Sequence, residues 1–386
     1  MDPRVLEAML PFFMTHFGNP SSLHSHGSEP RAAVAKARGA VAALVNASPD
    51  DVIFTGSATE ASNLAILGTA SKAGGEGHII TSAIEHFSIL NPIAHLGKAG
   101  LKVTMLPVDK QAVVDPAAIR AALTEDTILV SIGYANGEVG TIQDMRTIGE
   151  MTSKAGVPLH VDAVAAAAHA PIDMRSEHID MLTLSANDLY GPKGVGALVL
   201  APKMKAQLDP LLFGGGHERG LRSGSENVPG IVGMGKAAAL AKAEMPKNSA
   251  FLRSLRDRLI KGVTSEIKDS YLNGHPERRL PNNANLRFSF VEGEGLLLNL
   301  DMEGISVSTS SACTSKTLEA SHVLKAMGVS HEEAHGALLF VLSKENNEVD
   351  IDHVITRLPP IVDRLRAMSP LTPKGYLEEE LDTDKL

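Results

Sequence analysis

Thr127-Ile-Leu-Val-Ser131, residues 145–154 and Leu159-His-Val-Asp162 follow one another as an apolar run, an amphipathic stretch and a second apolar run. The flanking runs suit strands buried on both faces, and the middle stretch has helical periodicity. A strand, a helix and a strand in this order form the repeating unit of a parallel sheet. The alternation extends both ways: strands are expected at 51–55, 78–81, 102–106, 181–185 and 196–200, and helices at 31–45, 60–71 and 116–123. This pattern argues for a three-layer α/β/α domain whose ligands gather at the carboxyl ends of the strands.

From about residue 248 the pattern changes. A long amphipathic helix is expected at 252–267, a strand at Asn285-Leu-Arg-Phe-Ser-Phe290 and a late charged helix at 351–366. The expected organisation is therefore a large α/β domain at 1–247 and a smaller α+β domain at 248–368. Residues 369–386, with Pro, Gly and an acidic run, should form a mobile tail. A chain of 386 residues, 44% of them hydrophobic, is long enough for two such cores.

Composition also excludes some functions. The formal net charge of −9 disfavours non-specific nucleic-acid binding. No apolar run reaches the roughly 20 residues that span a bilayer, and no signal peptide opens the chain, so a cytoplasmic location without membrane attachment is expected. The single cysteine, Cys313, excludes an intrachain disulfide and a cysteine-rich zinc site.

A few residues carry candidate chemistry. Ala58 and Thr59 follow a strand and a Gly-containing turn and open a helix, where amides and a hydroxyl can hold a phosphate; the plainer reading is an N-cap. Asp162 ends an apolar strand, at the rim where ligands bind, or else caps a turn. His86 opens a helix, as a proton carrier or as a cap. Cys313 sits among small polar residues in Ser308-Thr-Ser-Ser-Ala-Cys-Thr-Ser315, which suits an exposed loop better than a core. His331-Glu-Glu-Ala-His335 fits H-E-x-x-H, the pattern that puts two zinc ligands on one helix face, but no third ligand is marked.

Several blocks together resemble the NifS/IscS-type cysteine desulfurases of the class V aminotransferase superfamily. They are Gly18-Asn-Pro-Ser-Ser-Leu-His-Ser-His-Gly27, Thr55-Gly-Ser-Ala-Thr-Glu-Ala-Ser-Asn63, Ile84-Glu-His86, Asn136-Gly-Glu-Val-Gly140, His160-Val-Asp-Ala163, Gly191-Pro-Lys-Gly194, Gly214-Gly-Gly-His-Glu-Arg-Gly-Leu-Arg-Ser-Gly-Ser-Glu-Asn227 and Ser310-Ser-Ala-Cys-Thr-Ser315. They occur in family order over nearly the whole chain. The resemblance implies the pyridoxal phosphate-dependent transferase fold, aspartate aminotransferase fold type I, and a homodimer. It implies a phosphate site at Ala58, Thr59 and Ser185, with Ser225 contributed by the second subunit. Asp162 would pair with the ring nitrogen, His86 would stack on the ring, and Cys313 would carry sulfur as a persulfide.

The chain departs from the family where the cofactor is attached. Asp188 stands in place of the lysine that forms the Schiff base, and Asn187 in place of the preceding histidine. Ala165 replaces a glutamine near the ring hydroxyl, Gly137 the second asparagine of an Asn-Asn-Glu motif, and Leu339 aligns with the substrate-binding arginine. Relatives also carry an Asn-Ala-Ala-Thr-Thr-Pro-like segment ahead of the position of Asp2. A carboxylate cannot condense with an aldehyde, and Lys193, five residues on, is a family lysine of the turn that would aim elsewhere. The expectation is thus a protein of iron-sulfur cluster assembly without ordinary desulfurase activity, its pyridoxal phosphate not covalently bound or absent. It would act through Cys313, a candidate iron or cluster ligand, as the partner of a U-type scaffold. Two alternatives stand beside it: a desulfurase using non-covalently bound pyridoxal phosphate with Asp188 or His86 as base, and a structural or regulatory pseudoenzyme.

Overall fold

The computed structural model describes residues 1–309 and 320–376, and its chain divides into two compact units. The first comprises Met1–Pro107, Val114–Asn136 and Gln143–Pro246, and the second Val108–Val113, Gly137–Ile142 and Lys247–Leu386. The two short excursions into the second unit had no place in the division expected at residue 247. Each is a few residues between elements of the first unit, too short to show a change of pattern in sequence.

Seven strands build the first unit: β1 (Val52–Thr55), β2 (His78–Ser82), β3 (Lys102–Leu106), β4 (Thr127–Gly133), β5 (Leu159–Asp162), β6 (Met181–Ser185) and β7 (Gly196–Leu200). Their order is β1-β7-β6-β5-β4-β2-β3, with β7 antiparallel to both neighbours and the rest parallel. Every residue of β1, β2 and β7 is buried, so both faces of the sheet are covered. The helix Ala58–Lys72 lies on β6 and β7. Its Leu64 and Ile66 join Ile53, Ile79, Leu129, Met181 and Leu198 in one core. His160 sits fully buried in that sheet, with Nδ1 at 2.9 Å from the Ser131 hydroxyl and Nε2 at 3.0 Å from the Thr183 hydroxyl. Desolvation drops it to about 3, so it stays a neutral hydrogen-bonding link between strands.

The second unit holds a four-stranded antiparallel sheet in the order β10-β11-β9-β8, from β8 (Ser270–Asn273), β9 (Asn283–Phe288), β10 (Ser308–Thr309) and β11 (Ala337–Val341). Leu286, Phe288, Leu338 and Phe340 from this sheet pack with Leu252, Leu255 and Leu259 and with Leu358 and Val362 of the helix Glu348–Met368. Within this unit Arg279, 3% exposed, donates to the backbone carbonyls of Asn273, His275, Val139 and Asn283 and so ties Gly137–Ile142 to the sheet.

Residues 369–376, expected to belong to the tail, are held to the second unit. Thr372 donates its hydroxyl to the Arg366 carbonyl at 2.7 Å, and the Tyr376 hydroxyl donates to Asp269 at 2.6 Å. The Tyr376 ring meets Phe290 edge-on at 5.2 Å and lies under the Lys268 ammonium. One aromatic residue among polar ones is enough to fasten this segment, which a reading by composition alone passes over.

Candidate functional site

The strand register builds the site. Thr55 pairs with Gly196 and Gly196 with Ser185, so the ends of β1 and β6 and the start of β7 share one row at the carboxyl edge of the sheet. Asp162 pairs with Gly133 on one side and Thr183 on the other, which sets its carboxylate at the same edge. His86 follows the end of β2, and Asp188 lies on a short 3-10 turn, Asn187–Leu189, just past β6. Most of the expected site residues of the first unit thus converge because parallel strands end together.

At the helix start expected to hold a phosphate, Ser57 caps the helix Ala58–Lys72 and accepts from the Glu60 amide at 3.1 Å. Glu60 in turn accepts from the Gly56 amide at 2.8 Å and from Arg222 Nε at 2.9 Å, fastening the turn before the helix. Ala58 and Thr59 therefore lie in the first turn, at the positive end of a helix of 15 residues. Gly196 lets β7 approach this turn: a Cβ there would stand 2.5 Å from the Ser57 carbonyl carbon and 2.6 Å from the Ala58 nitrogen. Backbone atoms cannot yield cheaply, so Gly196→Ala should displace the turn. The expected result is a tenfold or greater loss of affinity for pyridoxal phosphate, equivalent to about 1.4 kcal/mol or more, measured by equilibrium dialysis.

At the end of β5, Asp162 accepts from the Val164 amide at 2.9 Å. Desolvation raises its pKa, as does the charge of Asp188, while His86 counteracts both. Desolvation likewise raises Asp188, against hydrogen bonds from Ser185 and Asn187. His86 is exposed at the start of the helix Phe87–Lys98 and its Nδ1 accepts from the Ser88 amide at 3.1 Å, which fixes the ring's orientation. Asn136 donates to the Ile84 carbonyl at 2.8 Å and steadies the segment before His86.

Other expected residues fall elsewhere. Ser225 is exposed between the turn His217–Gly220 and the helix that starts at Val228. Ala165 follows β5 in a turn, and Lys193 is exposed in the turn before β7. Within the second unit, Leu339 pairs with Ser308 of β10 and Asn285 of β9, while the Gly137 carbonyl accepts from Asn283 at 2.9 Å. Cys313 lies outside the described residues. His331 and His335 bring their rings to 4.6 Å on a five-residue helix, but among the described residues no group of three metal-ligating side chains forms. The zinc hydrolase pattern therefore has no third ligand there.

Glu85 was passed over in the sequence although it stands beside His86. It is 5% exposed, its Oε1 lies 2.5 Å from the Ser82 hydroxyl and its Oε2 accepts from the Gly133 amide at 2.8 Å. Burial, together with the charge of Asp162, pushes this carboxyl up to about 8. A lone acidic residue between an apolar residue and a histidine carries no periodic signal of burial. Only the fold brings it to Gly133, the register partner of Asp162.

Comparison with known proteins shows the family. The family model for aminotransferase class-V matches residues 1–352. Cysteine desulfurase IscS 1 of Archaeoglobus fulgidus is 51% identical over 372 residues, 96% of each chain. Cysteine desulfurase IscS of Methanosarcina thermophila is 48% identical over 96% of this chain and 92% of its own length. Among solved structures, a NifS-like protein superposes with a TM-score of 0.88 at 36% identity, covering 95% of this chain and 97% of its own. No helix among the described residues is long and apolar enough to cross a membrane. With its pyridoxal phosphate-dependent transferase fold, the chain belongs to the aminotransferase class-V family and is similar to its NifS/IscS-type cysteine desulfurases.

Proposed function

We propose that the chain is a cysteine desulfurase that holds pyridoxal phosphate without a covalent link and passes sulfur from L-cysteine to Cys313 for iron-sulfur cluster assembly. The observation that carries this reading is the shared strand edge, where a helix start, Ser185, Asp162 and His86 come together. Those residues fit the cofactor. Gly196 lets its strand pack against the turn that opens the helix, whose first amides suit a phosphate, Ser185 stands in the same row, and a desolvated carboxylate suits a ring nitrogen. They do not fit a Schiff base, because no amine stands at position 188.

When bound, the cofactor supplies an electron sink that weakens bonds to the substrate's α and β carbons. The chain's own residues bind it and move protons. Asp188, with its pKa raised, and the exposed His86 are the groups available as base in place of a lysine. Sulfur transfer breaks the C–S bond of cysteine and forms an S–S bond at Cys313, leaving alanine and a persulfide. Delivery to a U-type scaffold and a homodimer that contributes Ser225 to the phosphate site complete the proposal.

Asp188 also favours a second reading, the one first drawn from the sequence: a partner in cluster assembly that handles sulfur or a cluster at Cys313 without turning cysteine over. The two separate in an anaerobic assay of sulfide released from L-cysteine with and without added pyridoxal phosphate, using Cys313→Ala as the control. Release that requires both the cofactor and Cys313 supports the desulfurase. No release, with iron and sulfide acquired in a Cys313-dependent way, supports the second reading and sinks the first.

A further inference from the structure

We propose that Asp2 is a positioning residue: it anchors the turn that carries Asp188 and so sets where the side chain at that position stands on the strand edge. The use of that side chain toward a cofactor rests on the reading above; the anchor itself does not.

The turn is short and strained. It leaves β6 after Ser185 and returns to β7 at Gly196, with Asn187–Leu189 as a 3-10 turn between them. The Leu189 and Gly191 amides both donate to the Ala186 carbonyl, at 3.1 and 2.7 Å, and close the loop on itself. Tyr190 lies between those two residues with φ 61°, a left-handed value that a bulky residue keeps only when neighbouring groups hold it. Its carbonyl accepts from the Asp2 amide at 2.8 Å.

Asp2 is itself held in place. It is 5% exposed and caps the helix Pro3–Met9, its Oδ1 accepting from the Arg4 amide at 2.9 Å. The Arg4 guanidinium donates to both carboxylate oxygens, at 3.0 and 2.8 Å, and reaches on to Glu244 at 2.6 and 3.1 Å. A two-pronged pair of this kind fixes direction as well as distance, so the Asp2 amide is aimed at the turn. Packing fixes the same place independently. Met9 at the end of the short helix and Pro192 just past the turn both meet Gly233 of the long helix that starts at Val228 and holds Glu244. A Cβ on Gly233 would lie 2.6 Å from Met9 Sδ and 2.9 Å from Pro192 Cδ. The short helix and the turn are thus seated on one helix, and the bond from Asp2 to Tyr190 couples them where the turn is most strained.

The test is a set of substitutions at position 2. Asp2 has φ −65° and ψ 133°, values that proline adopts and that suit a residue before Pro3, so Asp2→Pro removes the amide donor and the carboxylate without straining the backbone. Asp2→Ala removes the carboxylate alone, and Asp2→Asn keeps the amide and an acceptor for Arg4. In the cofactor-free protein, hydrogen exchange at the Leu189 and Gly191 amides should be about tenfold faster in Asp2→Pro, less so in Asp2→Ala, and native in Asp2→Asn. Unchanged exchange in Asp2→Pro overturns the anchor. So does a rise spread evenly over the strands of the first unit, which is what a general loss of stability would give. The aim of side chain 188 is read in Asp188→Lys, as the share of protein fixed to pyridoxal phosphate by borohydride across a cofactor titration. Adding Asp2→Pro should weaken that link about tenfold, and adding Asp2→Asn should leave it intact. A link equally strong with and without Asp2→Pro overturns the positioning role. If Asp188→Lys takes no cofactor while exchange in the turn still responds to Asp2→Pro, the anchor stands and the cofactor reading falls.

Discussion

The unsubstituted chain is expected to lose pyridoxal phosphate on gel filtration, and Asp188→Lys is expected to retain it through a link fixed by borohydride. The position is right for an amine: residue 188 is exposed on the turn between β6 and β7, and its side chain already reaches Ser185 at the site's edge. Tethering holds the aldehyde at effective concentrations that can reach about 10⁵ M, so retention at micromolar protein should rise by at least a thousandfold. Charge works in the same direction. Asp188 now raises the pKa of Asp162, whereas a cation there would lower it and favour the ionised form.

Turnover should recover less than retention. Leu339 replaces an arginine in the resemblance, and a substrate carboxylate without that partner costs roughly 1–3 kcal/mol, or about ten- to a hundredfold in KM. Sulfide release by Asp188→Lys should therefore appear with a high KM for cysteine. If the substituted protein gives up all its cofactor on desalting, position 188 does not face the ring and the alignment of the turn is wrong.

The fold was legible because its signals are periodic. The strands expected at 127–131 and 159–162 are inside β4 and β5, and the helix expected at 60–71 is Ala58–Lys72. A short element escaped: β10 has two residues, too few to show alternation. The helix expected at 252–267 begins at Val228, and Pro246 within it reads in sequence as a break.

The site was legible where residues stand at strand ends, as Asp162 and Ser185 do. It was not legible where partners are distant in the chain. Gly196 reads as the first residue of an apolar run, and its close approach to Ser57 exists only once β7 is laid against β1. Arg222 and Glu60 lie 162 residues apart, and neither alone suggests an ion pair that fastens the turn before the helix Ala58–Lys72. Glu218 is the clearest instance. In sequence it is one charged residue of a glycine-rich stretch that would be read as solvent-exposed.

Glu218→Ala should destabilise the first unit by about 3 kcal/mol, read as a fall in denaturant midpoint. Glu218 is 8% exposed and accepts from Arg38 through both oxygens, at 2.6 and 2.8 Å, and from the Phe54 amide at 2.8 Å. Arg38 also donates to the Val52 carbonyl at 2.6 Å and lies over the Phe54 ring. Alanine would leave a largely buried guanidinium without its counter-ion and a buried strand amide without an acceptor, each costly. The backbone adds to the effect. Glu218 has φ 46° and Arg219 φ 58°, left-handed values that such residues adopt only when surrounding contacts hold them. With the anchor removed, the segment leading through Arg222 to Ser225 should loosen, so a weaker hold on pyridoxal phosphate should accompany the lost stability. Glu218→Gln keeps one oxygen, which can still accept from Phe54 and one Arg38 nitrogen, but removes the charge and sets its amide NH2 against the other Arg38 donor; it should cost less than alanine. Equal losses for alanine and glutamine would assign the whole effect to charge and none to the strand amide.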